Sequence, residues 1–363
     1  MSVMSETVPA APHAAVTAVA GGPFLRNTWY VAAWSHELPP GALLARTIAG
    51  EALVLWRTAS GSIAALEDRC CHRQAPLSCG RVEADGLRCG YHGLKFAPDG
   101  RCIEVPGLDR VPPAARVRRY AVVEHRRWVM VWLGDVDAAD PTRLPDNHAC
   151  DSPDWRYRPG YLHYDTPVEL IADNLLDFSH LSYVHAGTLG GSDRIAASRP
   201  TVQDLPDGVR VERHVPAVPP PVYYRPLWPY DGLIDRWIRY DFLLPGVLLM
   251  DSGAQPAGMT PEEAAERGVG VRFHSCQAIT PETATSTHYF FMEAHRADRG
   301  DETVTEGLYQ GLLAAFAEDR AMITAQWHNL QRTPGRPMLP LAMDAALVRY
   351  RACLAQALAR EGR

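Results

Sequence analysis

The chain has 363 residues, enough for about two domains, and 42 acidic against 36 basic residues give it a net charge of −6. Lys95 is its single lysine, and the arginine doublets at 118–119 and 126–127 are too short for a nucleic-acid-binding patch. No stretch reaches the roughly 18 apolar residues of a membrane span, and eight cysteines are too sparse for a secreted disulfide scaffold. We therefore expect a cytoplasmic protein that binds neither nucleic acid nor membrane.

The first part of the chain predicts a small all-β domain over residues 23–135. Residues 1–22 are rich in Ala, Pro, Ser and Thr and lack a signal-peptide pattern, so we expect a flexible tail there. Short strands separated by Gly and Asp turns are predicted at residues 27–34, 43–48, 52–57, 63–66, 120–124 and 128–133.

Two Cys/His pairs lie inside this domain, Cys70-x-His72 and Cys89-x-x-His92, separated by 16 residues. Two thiolates and two imidazoles suit either a tetrahedral zinc or a two-iron cluster in which histidines replace two cysteines on one iron. The segment resembles the Rieske motif, which implies a [2Fe-2S] cluster held by these four residues. Cys71 would give adjacent ligands, which the motif does not have. A structural zinc site, and with it a zinc-stabilised binding module, is the alternative.

The rest of the chain predicts a linker over residues 136–155 and a second domain over residues 156–363. Strands are predicted at 157–164, 201–214, 237–244, 271–279 and 286–294, and helices at 167–184, 304–331 and 343–360. Residues 216–229 are rich in proline and aromatic residues, so we expect an ordered loop near a pocket, neither helix nor central strand. The predicted fold class is α+β: a small all-β Rieske domain, then an α+β catalytic domain with an antiparallel sheet and helices.

A second group of candidate metal ligands lies in the helix predicted at 167–184. Asn174, Asp177 and His180 are spaced three apart and share one helical face. His185 is about 140° from His180 on an ideal helix, so both bind one metal only if the helix distorts or ends there. Two histidines and one carboxylate form the facial triad of non-haem Fe(II) oxygenases. Taken alone, the two histidines fit surface or core positions equally well.

The pattern Asn-x-x-Asp-x-x-His-x4-His resembles the mononuclear-iron motif of the Rieske-type ring-hydroxylating oxygenases. The resemblance runs from about residue 27 to 361 and extends, at 70–78, 174–190, 235–237, 280–283 and 287–290, to the vanillate O-demethylase oxygenase group. It implies one mononuclear Fe(II), with Asp319 as third ligand and Glu318 as the rival. It also implies that Asp177 contacts His92 of a neighbouring subunit in a homotrimer, and that Asn174 lies near the iron.

The family implies the oxygenase component of a monooxygenase, which hydroxylates an aromatic compound in an O2-dependent reaction leading to O- or N-demethylation or methyl hydroxylation. Electrons would come from NAD(P)H through a reductase with flavin and ferredoxin-type iron–sulfur groups, or through a separate ferredoxin and reductase. Cis-dihydroxylation and a Rieske electron carrier without oxygen chemistry are the alternatives. Pocket candidates are Met250, Gln277, His288, Gln310 and the aromatic residues Tyr223, Tyr224 and Trp228; no arginine is singled out as a clamp for an anionic substrate.

Overall fold

The computed structural model describes residues 22–190, 192–229 and 231–362, so the tail predicted over residues 1–22 lies almost wholly outside the described part. The strands, numbered in chain order, are β1 Thr28–Trp34, β2 Leu43–Ile48, β3 Glu51–Arg57, β4 Ile63–Glu67, β5 Arg81–Glu83, β6 Gly86–Arg88, β7 Lys95–Phe96, β8 Cys102–Glu104, β9 Ala121–His125, β10 Trp128–Leu133, β11 Trp155–Tyr157, β12 Gly160–Tyr164, β13 Thr201–Leu205, β14 Gly208–Val218, β15 Ile234–Leu243, β16 Val247–Pro256, β17 Val271–Thr283 and β18 Ser286–Arg296.

The helices are fewer than the strands. They are α1 Val168–Leu176, α2 Arg194–Ala197, α3 Pro261–Glu266, α4 Glu302–Arg332 and α5 Ala345–Arg360. Within the described residues, none is both long enough and apolar enough to cross a bilayer.

The N-terminal part consists of three small antiparallel sheets, ordered β1-β10-β9, β2-β3-β4 and β5-β6-β7-β8. Alternating apolar residues of the first two sheets form one core cluster. A second cluster lies under the third sheet and includes both Cys70 and Cys89, so the loops that carry them are anchored in packed apolar side chains. The predicted all-β domain is confirmed.

The C-terminal part is built on an antiparallel sheet of eight strands, ordered β11-β18-β17-β16-β15-β14-β13, with β12 also paired to β18. The single strand predicted at 157–164 is therefore two strands, β11 and β12, which pair with successive stretches of β18 on either side of Pro159. The α+β class with an antiparallel sheet is confirmed.

The strand predictions were incomplete in two places in this sheet. Strand β16 was not among the predicted strands; Asp251, Ser252 and Gly253 have low strand propensity, and pairing with β15 and β17 on both sides overrides it. Strand β14 runs through Pro216 to Val218, although 216–229 was expected to contain no central strand. A register shift between Val215 and Val218 accommodates the proline.

The two parts pack closely against each other. Tryptophans of β1 and β10 form one core cluster with β17 and β18 and with Ala149 and Cys150 from the predicted linker. The Trp34 indole donates a hydrogen bond to the Gly160 carbonyl (2.9 Å), and the Thr280 hydroxyl donates one to the Val31 carbonyl (2.7 Å). Helices α1, α4 and α5 cover the opposite face of the large sheet through another cluster. The residues between α1 and α4 on that face form the candidate site.

Candidate metal centres and active-site cavity

The first Cys/His pair and the second lie on facing loops at one end of the N-terminal part. Cys70 and Cys89 are buried, whereas His72 and His92 are exposed, with ring centroids 4.7 Å apart. Burial, together with the adjacent Cys89 thiol, raises the pKa of Cys70 to about 11, because the two sulfurs share one small apolar pocket. Cys71 is exposed, unlike Cys70 and Cys89. Two buried sulfurs and two exposed imidazoles suit the mixed ligation of a Rieske cluster.

Close backbone packing holds these two loops together. A Cβ atom added to Gly80 would lie 2.1 Å from the Arg88 carbonyl oxygen, and one added to Gly90 would lie 2.5 Å from that of Cys79. The Asp68 carboxylate accepts hydrogen bonds from the backbone N–H and hydroxyl of Ser78 (2.7 and 2.6 Å). Only glycine fits at the two crossing points, so this loop geometry requires glycine at both positions.

The helix predicted at 167–184 ends at Leu176, and this break creates the second site. Asp177 adopts an extended backbone (φ −129°, ψ 97°), and its carboxylate caps the 3-10 helix Phe178–Ser182 by accepting from the Ser179 N–H (2.9 Å). Beyond the break, the rings of His180 and His185 come to 5.2 Å centroid separation. A continuous helix would have pointed them about 140° apart.

Asp319 of α4 completes a three-residue cluster with these histidines. Its Oδ1 lies 3.5 Å from Nε2 of His180 and 3.1 Å from Nε2 of His185, and the three ligand atoms all lie within 4.8 Å of one another. The Asn174 amide donates a hydrogen bond to the same Oδ1 (2.9 Å), which holds the carboxylate toward the histidines. Of the two rival carboxylates, Asp319 is therefore the one that faces both imidazoles.

Each histidine presents Nε2 to the cluster because its Nδ1 is engaged elsewhere. Nδ1 of His180 contacts the Asp177 carbonyl (2.5 Å), and Nδ1 of His185 contacts Oε2 of Glu318 (2.7 Å). These acceptors favour the tautomer with the proton on Nδ1 and the lone pair on Nε2. Two neutral imidazoles and one carboxylate on one side of a cavity fit ferrous iron with open positions.

A small cavity of about 70 Å³ opens directly beside this cluster. Its walls include, besides the candidate ligands, mostly apolar and aromatic side chains: Leu175, Phe178, Leu181, Leu189, Tyr223, Tyr224, Ile238, Met250, Leu312 and Phe316. Such a lining is typical of a pocket for a small aromatic molecule.

The predicted pocket residues divide into two groups. Met250, Gln277, Tyr223 and Tyr224 line the cavity. His288 does not, since its ring bonds Tyr161 and the Thr47 carbonyl at the contact between the two parts. Gln310 is exposed and donates to Glu306, and Trp228 is buried in a neighbouring cluster.

Three functional candidates were not anticipated. Glu318, considered only as a rival ligand, contacts the outer nitrogen of His185. Arg236 and Glu293 are buried residues of β15 and β18 that line the cavity. For Arg236 and Glu293, the one available sequence signal was a charged residue at an inward position of a strand. That signal becomes informative only once the strand register is known.

Comparison with known proteins gives consistent matches in both parts of the chain. The Rieske [2Fe-2S] domain family matches residues 28–120, and the vanillate O-demethylase oxygenase C-terminal domain family matches residues 164–360. The chain is 43% identical over 327 residues to the iron-sulfur subunit of the toluene-4-sulfonate monooxygenase system of Comamonas testosteroni, covering 89% of this chain and 94% of that protein.

Two further relatives agree with these matches. The vanillate O-demethylase oxygenase subunit of a Pseudomonas species is 34% identical over 93% of this chain and 96% of its own length. The crystal structure of dicamba monooxygenase bound to dicamba superposes with a TM-score of 0.84 at 29% identity, covering 94% of this chain and 100% of that one.

Proposed function

The chain belongs to the Rieske oxygenases with a vanillate O-demethylase type of C-terminal domain, and from this premise we propose how it binds its metals and what it oxidises. The protein is the oxygenase component of a monooxygenase system, an oxidoreductase with a Rieske [2Fe-2S] cluster and a mononuclear iron. The proposed cluster ligands are Cys70, His72, Cys89 and His92, and the proposed ligands of the single iron are His180, His185 and Asp319.

The proposed reaction is hydroxylation of a methyl, O-methyl or N-methyl carbon of an aromatic compound. One C–H bond becomes C–OH while O2, two electrons and two protons yield the product and one water. For a methoxy substrate, the resulting hemiacetal releases formaldehyde and leaves the phenol. The observation that carries this proposal is the convergence of three ligand atoms within 4.8 Å at the floor of an aromatic-lined cavity.

The metals, when bound, supply electron transfer and O2 activation. The chain's own residues hold the reactants. Glu318 and the Asp177 carbonyl keep the ligand histidines in the Nδ1–H tautomer, and the Asn174 amide orients the Asp319 carboxylate. The apolar walls exclude bulk water and restrict the substrate ring to a few orientations, so that one carbon faces the iron.

We further propose a homotrimer in which electrons cross between subunits. The Cys70/Cys89 core cluster shares no residue with the clusters around His180 and His185, so the two centres of one chain lie in separate layers. His92 and the adjacent Tyr91 (61% exposed) are on the surface, as is Tyr183 (75% exposed) beside the other centre. Contact of Asp177 with His92 of a neighbouring subunit would connect the two centres. Light scattering of the metal-loaded protein tests this; a monomer that sustains full turnover would contradict it.

Electrons reach such oxygenases from NAD(P)H through a reductase, which we propose carries flavin and a ferredoxin-type cluster or works through a separate ferredoxin. We also propose a cytoplasmic location, supported by eight cysteines of which none forms a disulfide.

The test is product analysis with a reductase, NADH and a panel of methyl- and methoxy-arenes, including toluene-4-sulfonate and vanillate. We expect benzylic alcohol or phenol plus formaldehyde, whereas a cis-diol would indicate dioxygenation. His180→Ala should abolish turnover and leave the visible spectrum of the cluster unchanged. His214→Ala, an exposed histidine of β14, is the matched control. Turnover that survives in His180→Ala would contradict the proposed iron site.

A further inference from the structure

Arg236 is a buried cation in the wall of the cavity. Only 6% of this residue is exposed, and it lies on the face of β15 that also presents Ile238 to the cavity. Its Nη1 donates to the carbonyls of Leu189 (3.0 Å) and Gly190 (3.4 Å), in the loop that follows His185. Its Nε is buried and has no hydrogen-bond partner. A buried guanidinium with an unused donor is costly unless a ligand completes it.

The other arginines of this part of the sheet have carboxylate partners. Arg210, Arg213 and Arg239 lie 2.6, 3.9 and 3.2 Å from the carboxylates of Asp241, Asp177 and Glu212, respectively. None of the ion pairs found among residues 22–190, 192–229 and 231–362 includes Arg236. Its positive charge is therefore available to whatever occupies the cavity.

The one other acidic residue of the cavity wall apart from Asp319 does not neutralise Arg236. Glu293 is on β18, three strand spacings or about 14 Å across the sheet from β15. Burial raises the pKa of Glu293 to about 8, so its carboxyl group is mostly uncharged at neutral pH. With Asp319 directed at the histidines, the apolar part of the cavity carries one uncompensated positive charge.

Aromatic residues hold the guanidinium in place and add a second donor. The Cζ of Arg236 lies 5.3 Å from the ring centroid of Tyr224, whose own centroid is 5.5 Å from that of Tyr223. Tyr223 lines the same cavity, and its hydroxyl is buried and has no hydrogen-bond partner. Two unused donors on residues of one mostly apolar pocket suit a planar or tetrahedral oxoanion.

We propose that the substrate is an aromatic oxoanion, a sulfonate or a carboxylate, whose acidic group binds Arg236 with the Tyr223 hydroxyl as second donor while its alkyl carbon faces the iron. This inference rests on the proposed function and narrows its substrate class. Arg236 would select anionic rings over neutral rings of the same shape, because a neutral ring leaves the guanidinium buried and unpaired.

The test compares three ring compounds of similar size on the metal-loaded enzyme: toluene-4-sulfonate, 4-methylbenzoate and the neutral 4-methylphenyl methyl sulfone. Calorimetry without O2 measures binding, and product analysis with reductase measures hydroxylation. We expect the wild type to bind the two anions more tightly than the sulfone. The ratio of the affinities for toluene-4-sulfonate and 4-methylbenzoate shows whether the site prefers a sulfonate or a carboxylate. Arg236→Met should weaken binding of the anions by about 10- to 100-fold and that of the sulfone by less than about threefold.

Further variants separate anion binding from a structural role. Arg236→Lys keeps the charge, so it should retain part of the preference, and Tyr223→Phe should weaken anion binding by about 2- to 10-fold. Arg239→Met, on the same strand but directed to the opposite face, is the control and should change neither affinity. The cluster spectrum and thermal unfolding report whether each variant folds.

Equal losses for the sulfone and the anions in both Arg236 variants, or a wild type without anion preference, would overturn the anion site while leaving the reaction in place. Arg236-dependent anion binding without any hydroxylation would support the anion site and contradict the proposed reaction.

Discussion

Replacement of Glu318 is the sharpest test of how the protein prepares its iron site. Glu318 Oε2 receives two hydrogen bonds, from Nδ1 of His185 (2.7 Å) and from the Thr188 hydroxyl (2.9 Å). Glu318→Ala removes the acceptor that fixes the His185 tautomer. The imidazole can then carry its proton on Nε2 and turn away from the metal, so we expect weaker iron binding.

The expected magnitude follows from two independent considerations. Loss of an outer partner of a ligating histidine costs about 10- to 100-fold in metal affinity, or about 1.4–2.7 kcal/mol. A hydrogen bond to a charged group contributes a similar 1.5–3 kcal/mol. Because the Glu318 side chain is 37% exposed, solvent screening places the expected loss of iron affinity in the lower half of this range, at about 10- to 30-fold. Glu318→Gln keeps an acceptor without the charge and should lose only about threefold.

Competition for Fe(II) against a chelator under anaerobic conditions measures this affinity, and the cluster spectrum serves as an internal control. Glu306→Ala, a surface glutamate of the same helix, should bind iron like the wild type. An iron affinity of Glu318→Ala equal to that of Glu306→Ala would refute the reasoning. Loss of the cluster together with the loss of iron affinity would also refute it, because the effect would then not be confined to His185.

Three other predictions follow from particular contacts. Gly80→Ala places a Cβ 2.1 Å from a backbone oxygen, so we expect loss of most of the cluster, measured as iron and sulfide content; full cluster content would contradict the loop packing described above. In the folded protein, burial raises the pKa of Glu293 from its usual 4.5 to about 8, so its contribution to stability is complete below about pH 4.5 and is lost as the pH rises toward 8. Glu293→Gln should remove this pH dependence of the unfolding free energy, which is worth about 5 kcal/mol at most and is measured by denaturant unfolding at a series of pH values. An unchanged pH dependence would show that the acid is not buried in solution. Asp177→Asn should leave cluster reduction and iron content intact while slowing single-turnover product formation at least about tenfold; an unchanged rate would argue against a role of Asp177 between the centres.

The parts of the protein that the sequence predicted well are those in which neighbours in the chain are also neighbours in space. The Cys/His pairs lie on local loops, and hairpin strands such as β2 and β3 pair across tight turns, so spacing and turn residues were sufficient. The resemblance to Rieske oxygenases named Asp319 as an expectation. Its spatial relation to Asn174, 145 residues earlier, appears only when α4 packs against α1.

The errors have a common physical cause. Strand β16 was missed because local propensity is overridden by partners on both sides, and the helix at 167–184 was predicted too long because the capping role of Asp177 at a helix break leaves no periodic signal. His288 and Gln310 were suggested by position alone. The sheet directs His288 into the contact between the two parts, and α4 presents Gln310 to solvent.

By itself, the sequence determined the chemistry available to this protein, since ligand types and their local spacing are covalent properties of the chain. Tertiary structure decided how that chemistry is arranged. It determined which carboxylate faces the histidines, which one orients them, and which arginine is left without a counter-charge inside a cavity. Those properties depend on burial and on the pairing of distant strands, and neither can be read from a residue's neighbours in sequence.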